Sequence, residues 1–285
     1  MARTTGVFTY ARRNKNLVVG LALLLALFLF SAVGHFLVDV EKAYPLSAPS
    51  SKPPSSEFPF GTDPQGRELL AVAVRGTYLT LRIGFIAGGL GLLVGTILGF
   101  TAAYYRGLYD TVVKWVVDVL LTVPALLVLV IIAATLTKGM SLDSMAVVIG
   151  LLAWMWPTRT IRAQVLTLRE RAFVRVAKLS GATSLEIIFK ELMPNLLPLL
   201  GAMLINSVIG AVFASIGLEA LGLGALRQPT LGMTIYWAMQ QSAFARGLWW
   251  WIITPVVIII ILFVGLFQLA IGLDELANPR LRRKV

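Results

Sequence analysis

Trp251-Ile-Ile-Thr-Pro255-Val-Val-Ile-Ile-Ile-Ile-Leu-Phe-Val-Gly265-Leu-Phe-Gln-Leu-Ala-Ile-Gly-Leu273 runs for 23 residues without a charged side chain. At 1.5 Å per residue a helix of that length covers about 35 Å, enough for a hydrocarbon core of about 30 Å. The run does not alternate apolar and polar residues, so it does not read as a strand of a membrane barrel. Lipid offers no partner to backbone polar groups, which leaves a helix as the spanning form. Five further apolar segments of span length occupy residues 17–38, 79–103, 112–136, 145–163 and 196–217. Across the 285 residues, 58% are hydrophobic and only 14% are charged. A soluble domain carries about 25% charged residues, so this chain cannot wet the surface of a compact globule. The expected fold class is an all-α integral membrane protein with about six transmembrane helices. The same numbers exclude intrinsic disorder.

The formal net charge is +11, which in a soluble protein would suggest nucleic acid. The distribution points instead to topology. Segments 1–16, 104–115, 158–195 and 274–285 hold 17 of the 25 Lys and Arg residues, and segments 39–78, 137–144 and 218–250 hold 7, with Arg82 at the edge of the second span. The positive-inside rule then puts both termini in the cytoplasm and removes the case for nucleic acid. The first span follows a basic start and contains Ser31-Ala32-Val33-Gly34, a weak cleavage site, but its apolar stretch continues through Val38 and reads as a retained anchor.

Chemistry is sparse. There is no cysteine and one histidine, His35, inside an apolar run, so neither a thiolate nor a histidine metal site is expected. A Gly-Lys dipeptide is absent, which excludes a phosphate-binding P-loop, and neither Gly-x-Ser-x-Gly nor His-Glu-x-x-His occurs. Asp118 lies near the inner end of the third span with Lys114 four residues before it, a functional acid or a structural ion pair. Nothing supports catalysis by this chain, and no cofactor is expected in it.

The segments between the spans carry more information. Residues 42–60 hold five prolines and five serines and should be extended and irregular. After them, Thr62 or Asp63 stands where it can cap a helix with Pro64 in its first turn, and that helix is expected to lie flat on the outer membrane surface up to residue 78. Gly84, Gly88, Gly91, Gly95 and Gly99 recur at helical spacing on one face of the second span, an arrangement suited to close helix packing within the chain or against a second subunit. On the outer side, segment 218–250 ends in Trp249-Trp250-Trp251, where an aromatic belt should anchor the chain at the interface.

Segment 164–195 is cytoplasmic by the charge count. Leu166 to Leu179 reads as one helix with Arg169, Glu170, Arg171, Arg175 and Lys178 solvated. Ser180-Gly181 ends it, because glycine adopts the left-handed turn at little cost. Thr183-Ser184-Leu185-Glu186 has the spacing of a capping box and starts a second helix, which Pro194 is expected to end. A doubly capped helix pair fixed between two spans suits the transmission of motion from a soluble partner.

These residues resemble those of a known family, the DppC/OppC-like permease subunits of the peptide/nickel class of ABC importers. Arg175-Val176-Ala177-Lys178-Leu179-Ser180-Gly181, continuing to Leu192-Met193-Pro194-Asn195, is similar to the cytoplasmic EAA loop of that family. Arg171-Ala172-Phe173-Val174, Gly61-Thr62-Asp63-Pro64-Gln65-Gly66-Arg67 and the tail Asn278-Pro279-Arg280-Leu281-Arg282 also fit. The motif glutamate is Arg175 here and its first alanine is Val176, so an ionic contact made by that glutamate is not available, and the partner surface should differ.

The resemblance implies a type I ABC importer permease architecture. It implies a first helix at 17–38, an extracytoplasmic segment at 39–78, a five-helix core over 79–273 with a coupling loop at 164–195, and a basic tail at 274–285. The implied partners are a second, similar permease, two cytoplasmic ABC ATPase subunits that hold ATP and magnesium, and an extracytoplasmic binding protein. The residues implied to couple to the ATPases are Arg169, Arg171, Phe173, Val174, Arg175, Ala177, Lys178, Gly181 and Ala182, with Phe173 and Arg175 as the leading docking contacts. Peptides are the implied cargo, oligosaccharides the alternative; one histidine and no cysteine speak against nickel coordination. A secondary transporter driven by an ion gradient is a further alternative, but it calls for ionisable groups at the midplane, and these spans are almost free of charge.

Overall fold

The computed structural model of the chain describes residues 14–135 and 140–277. The basic residues before position 14, Lys138 and the Asn278–Arg282 stretch lie outside the described residues. Helix α1, Lys15–Leu37, is capped by Asn14, whose side chain accepts from the Leu17 N–H. A short 3-10 turn, Val40–Ala43, follows it.

Helix α2, Leu69–Tyr105, has 37 residues and is about 55 Å long, more than a bilayer core requires. It begins at Leu69, not after Asp63, and no separate interfacial helix precedes the second span. Asp63 is used differently. Its Oδ1 accepts from the backbone N–H groups of Gln65 and Arg67, both at 2.9 Å, and its Oδ2 accepts from Arg67 Nε at 2.5 Å. This aspartate turn outcompetes helix initiation because Gly66, at φ +72°, closes the loop and hands the chain to the Thr62–Glu68 bridge. Thr62 Oγ1 is likewise engaged, donating to the Pro49 carbonyl at 2.6 Å, so the proline- and serine-rich segment folds back onto this turn.

The expected spans at 112–136 and 145–163 are both broken. Helices α3, Gly107–Thr122, and α4, Ala125–Thr135, meet at 79°. Pro124 forces the residue before it away from helical dihedrals, and Val123 is extended, with ψ 125°. Helices α5, Leu142–Leu152, and α6, Met155–Arg169, meet at 40°, with Pro157 in the first turn of α6, where its missing N–H costs nothing.

Two further expectations are corrected on the way out of α6. Leu166 to Leu179 is not one helix: α6 stops at Arg169, Arg171 is extended, and α7 is a separate helix, Ala172–Leu179. Nor does Pro194 end a helix. One continuous helix, α8, runs Ser184–Ala220 and widens to i→i+5 hydrogen bonding over Ile187–Leu192 just before the proline. There the Met193 N–H reaches the Ile188 carbonyl, so the ladder has already shifted register where Pro194 has no N–H to give. Helix α9, Leu231–Gln240, and helix α10, Trp249–Ala277, complete the chain.

With α1, α2, α8 and α10 as unbroken spans and each bent pair counted once, the chain has up to six crossings. Helix α2 sits at their centre. A Cβ added at Gly88 would come within 2.7 Å of the Val208 amide nitrogen on α8, one at Gly91 within 2.7 Å of Ala153 Cβ, and one at Gly95 within 2.6 Å of Pro157 Cβ. Gly84 faces Val212, and Gly99 faces the Thr158 carbonyl. The glycine face of α2 therefore packs within the chain, first on α8 and then on the α5–α6 break.

The ends of the bundle are tied separately. Asn14 on one side of α1 donates to Glu275 Oε2 of α10 at 2.7 Å. At the other end, Trp250 Nε1 donates to the Thr62 carbonyl at 3.1 Å. The three tryptophans are thus not one interfacial anchor: Trp250 clasps the loop, Trp251 is fully buried beside Leu69, Val72 and Ala238, and Trp249 alone is exposed. Burial wins at Trp251 because successive helical residues point about 100° apart, so a run of three must divide between core and surface.

Candidate functional site

The elbow between α6 and α8 begins with charge. Arg169 Nη1 donates to the Ala103 and Tyr104 carbonyls, at 3.1 and 2.5 Å, and so caps the unsatisfied C-terminal end of α2. Its guanidinium also lies over the Tyr104 ring, 5.9 Å from the centroid. Glu170 pairs with Arg106 at 2.6 Å. These two contacts pull residues 169 and 170 toward α2, and that is what separates α6 from α7. Arg169 is therefore turned inward, whereas Arg171 and Arg175 face solvent. Lys178 is exposed and leans over the same Tyr104 ring at 5.8 Å.

Helix α7 is seated by one residue. Val174 has no exposed surface and packs with Tyr104 of α2, Val165 of α6 and Ile187, Ile188 and Leu192 of α8. Ala177 lies at the margin of the same cluster, as does Ala182. The opposite face is apolar and open: Phe173 is 37% exposed, Val176 61% and Leu179 89%. Positions 173, 176 and 179 are three apart and form one stripe, flanked by Arg171 and Arg175.

Gly181 turns the chain at φ +82°. Its N–H reaches the Lys178 carbonyl, and the Ala182 N–H reaches the Ala177 carbonyl, both at 3.1 Å, the paired bonds of a Schellman turn. Thr183 and Glu186 then form the capping box that their spacing predicts, with the Thr183 N–H donating to Glu186 Oε2 at 2.9 Å. Lys190 adds an ion pair to Glu186 at 3.0 Å, one turn further along. The second helix of the elbow is α8 itself, which continues into the membrane without interruption. Leu185 and Phe189 extend the exposed apolar surface onto its first turns, at 62% and 58% exposure.

A second feature lies within the bundle. The two helix breaks, at Val123–Pro124 and at Ala153–Trp154, face α8 across a cavity of about 720 Å³. Its walls are apolar apart from a few groups, among them Thr160, Asn206 and Ser207. The α8 wall is built from small residues, Ser207, Gly210, Ala211 and Ala214. Nothing in the sequence alone singles out the residues of this cavity, although Pro124 and Pro157, which stand at the breaks, are visible in it.

Three charged features went unread in the sequence or fall elsewhere than expected. Lys114 and Asp118 do not form an ion pair; the pair at that end of α3 joins Asp110 to Arg162 of α6. Neither residue of that pair is marked by local spacing, since 52 positions separate them. Glu219, near the end of α8, is fully buried against Gly224 of the following loop and Gly232 at the start of α9. Among the described residues no group of His, Cys, Asp and Glu side chains is arranged to hold a metal ion.

The chain as a whole is similar to known proteins. Residues 91–283 match the family described as binding-protein-dependent transport system inner membrane component. The chain is 28% identical over 283 residues to the dipeptide transport system permease protein DppC of Bacillus subtilis (strain 168), covering 99% of this chain and 88% of that protein. It is 29% identical to the oligopeptide transport system permease protein OppC of the same organism, over 75% of this chain and 69% of the relative. Among solved structures, a chain of the MetNI methionine ABC transporter in an inward-facing conformation aligns with a TM-score of 0.57 at 22% identity, covering 74% of this chain and 97% of that one. At that identity the likeness speaks to the fold.

Proposed function

Because this chain belongs to the family of inner-membrane components of binding-protein-dependent transport systems, we propose that it forms half of the membrane path of an ATP-driven importer for dipeptides and oligopeptides. The relatives named for dipeptide and oligopeptide transport favour peptides over oligosaccharides as cargo. In this reading a second, similar permease completes the path, two ATPase subunits that hold ATP and magnesium themselves dock on the cytoplasmic elbows of the two permeases, and a binding protein delivers cargo to the opposite end. The excess of Lys and Arg on the elbow side supports a cytoplasmic elbow and cytoplasmic termini.

The observation that carries the proposal is the construction of α7. Val174 locks the helix to α2, α6 and α8, while Phe173, Val176 and Leu179 leave an apolar stripe uncovered by the described residues. An apolar helix face of this kind needs a partner in an aqueous compartment. The contacts on either side are short and rigid, so displacement of α7 moves the ends of α2 and α6 through Tyr104 and Arg169, and moves α8 through the Schellman turn. Because α8 is one helix from Ser184 to Ala220, movement at its cytoplasmic end reaches the small-residue wall of the cavity. The wide turn at Ile187–Leu192 is the place along α8 where bending costs least. Nucleotide shifts the path between its states only by the ATPases' differential affinity for the two positions of α7.

The test is co-purification and uptake together. In a strain lacking the native importer, the wild-type assembly should retain its ATPase subunits and restore uptake of a labelled dipeptide. Val176→Asp and Phe173→Ser should release the ATPases and abolish uptake with membrane insertion unchanged. Uptake that continues without any ATPase and follows a proton or sodium gradient would reject the proposal in favour of a secondary transporter.

A further inference from the structure

At the end of the bundle opposite the elbow, a cleft of about 530 Å³ opens between the proline-rich loop, the 226–229 loop and helix α9. Its size is that of a small-ligand pocket. Its polar wall comprises Tyr44, Gln65, Arg67, Arg227 and Gln228, and Trp237 supplies an aromatic wall.

The decisive group is Arg67. It is 4% exposed, and its Nε is committed to Asp63, yet its Nη2 has no hydrogen-bond partner among the described residues. A buried guanidinium donor left without an acceptor is costly, and such groups ordinarily find one. Arg227, on the facing wall, is exposed and makes no ion pair among the described residues. Behind Tyr44 a third cation stacks on its ring, with Arg75 CZ 5.1 Å from the centroid, and Arg75 Nε is also buried without a partner. The nearby acids are already matched: Asp63 by Arg67, and Glu68 by Lys42 at 3.7 Å. Of the residues that line the cleft only Arg67 and Arg227 are charged, and Asp63 offsets the first, so Arg227 is left without a counter-charge among them. Two guanidinium groups lining one cleft, beside side-chain amides and an aromatic wall, suit a planar anion that accepts two hydrogen bonds.

We propose that this cleft is a carboxylate-binding site that receives the free C-terminal carboxylate of a short peptide, with Arg67 and Arg227 as its two donors. The assignment of the carboxylate to a peptide rests on the cargo proposed above; the carboxylate chemistry does not. Gln65 and Gln228 stand beside the arginines, where side-chain amides can pair with the last peptide group, and Trp237 offers an apolar surface to the terminal side chain. The cleft is formed by the loops that face an arriving binding protein, so the ligand meets it before it meets the cavity between the helix breaks.

The test uses the whole transporter in lipid nanodiscs, without nucleotide or binding protein, and reads ligand contact by saturation-transfer NMR. The probes are the dipeptide Ala-Phe and its C-terminal amide. The free acid should bind at least about tenfold more tightly than the amide, the value of one hydrogen bond to a charged group. Acetate should compete with it. Arg227→Gln should remove the preference for the acid, and Arg227→Lys should keep part of it. Arg227 is the right position to change because it is exposed, whereas Arg67 holds the buried Asp63 and its loss would disturb the loop. Equal binding of acid and amide, a preference that survives Arg227→Gln, or no binding by either probe overturns the proposal. If the preference is missing while Arg227→Gln weakens docking of the binding protein, the acceptor is an acidic side chain of that protein and the peptide assignment fails. Cellular uptake of Ala-Phe decides the cargo separately: its absence, with acetate still bound in the cleft, would reject the peptide reading and leave the carboxylate site standing.

Discussion

Arg162 of α6 grips Asp110 of α3 with two hydrogen bonds, Nε to Oδ1 at 2.5 Å and Nη2 to Oδ2 at 2.7 Å. Both side chains are mostly covered, at 21% and 15% exposure. The pair fastens the first half of one broken span to the second half of the other. Without it, α3 has little to hold it, since Val117 is the one buried residue along its length.

Removing either partner leaves a half-buried charge without its counterion. Asp110→Ala and Arg162→Ala should each lower the thermal midpoint of the detergent-solubilised protein. The double variant should fall no lower than the worse single one, because the two changes remove the same interaction. A coupling of about 2 kcal/mol is expected for a bidentate, partly buried pair. Additive losses in the double-mutant cycle would show that the pair is not energetically linked.

Gly181 tests the elbow through backbone geometry alone. At φ +82° a side chain is strained, but a Cβ there would meet no atom within 4 Å, so no clash confuses the result. The left-handed region costs an ordinary L-residue about 1–2 kcal/mol, and a β-branched one more. Gly181→Val should abolish uptake while leaving membrane insertion intact. Gly181→Asn should retain most uptake, because asparagine tolerates this region. Equal transport by the two variants would remove the Schellman turn from the coupling path.

Neighbouring glycines on α2 give an internal control for packing. A Cβ at Gly88 would press against the backbone of Val208, which cannot move aside, whereas a Cβ at Gly89 meets nothing within 4 Å. Gly88→Ala should therefore destabilise the fold by about 1–3 kcal/mol. Gly89→Ala should be neutral or stabilising by about 0.5–1 kcal/mol, from its helix propensity. Thermal midpoints of the two variants in one detergent suffice to check this. The reverse order would place a different face of α2 against α8.

How much of this was legible in the sequence follows from the range of each interaction. Four of the six apolar runs, the Gly181 turn and the Thr183–Glu186 capping box depend on residues within a few positions of one another, and these appear where the sequence puts them. The breaks at Pro124 and near Pro157 were marked by proline, but whether a proline kinks, breaks or merely starts a helix depends on what packs around it. At Asp63 two local outcomes competed, a helix cap and an aspartate turn. The choice was made by Pro49, Lys52 and Trp250, which clasp Thr62 from distant parts of the chain. The split of Leu166–Leu179 had the same origin, since Arg169 and Glu170 answer to Ala103, Tyr104 and Arg106 more than to their own neighbours. The cleft at the other end of the bundle was unreadable for that reason too: Arg67 and Arg227 line it together although 160 positions separate them in the sequence.

The cavity between the helix breaks makes the last prediction. On α8, Gly210 lines it, and a Cβ at Gly210 would meet no atom within 4 Å, so this wall can carry a larger side chain without disturbing the packing behind it. Gly210→Phe adds a ring that the cavity of about 720 Å³ can hold, across the gap toward Pro124 and Trp156. If the cavity belongs to the path, that ring should reduce dipeptide uptake by about tenfold or more. ATPase co-purification should be unchanged, since α7 is untouched, and the thermal midpoint should stay level or rise as empty apolar volume is filled. Gly210→Ala, adding a single methyl group, should transport nearly as well as the wild type. Full uptake by a folded Gly210→Phe protein would mean that cargo crosses elsewhere, and the breaks at Pro124 and Pro157 would then need another reason to face α8.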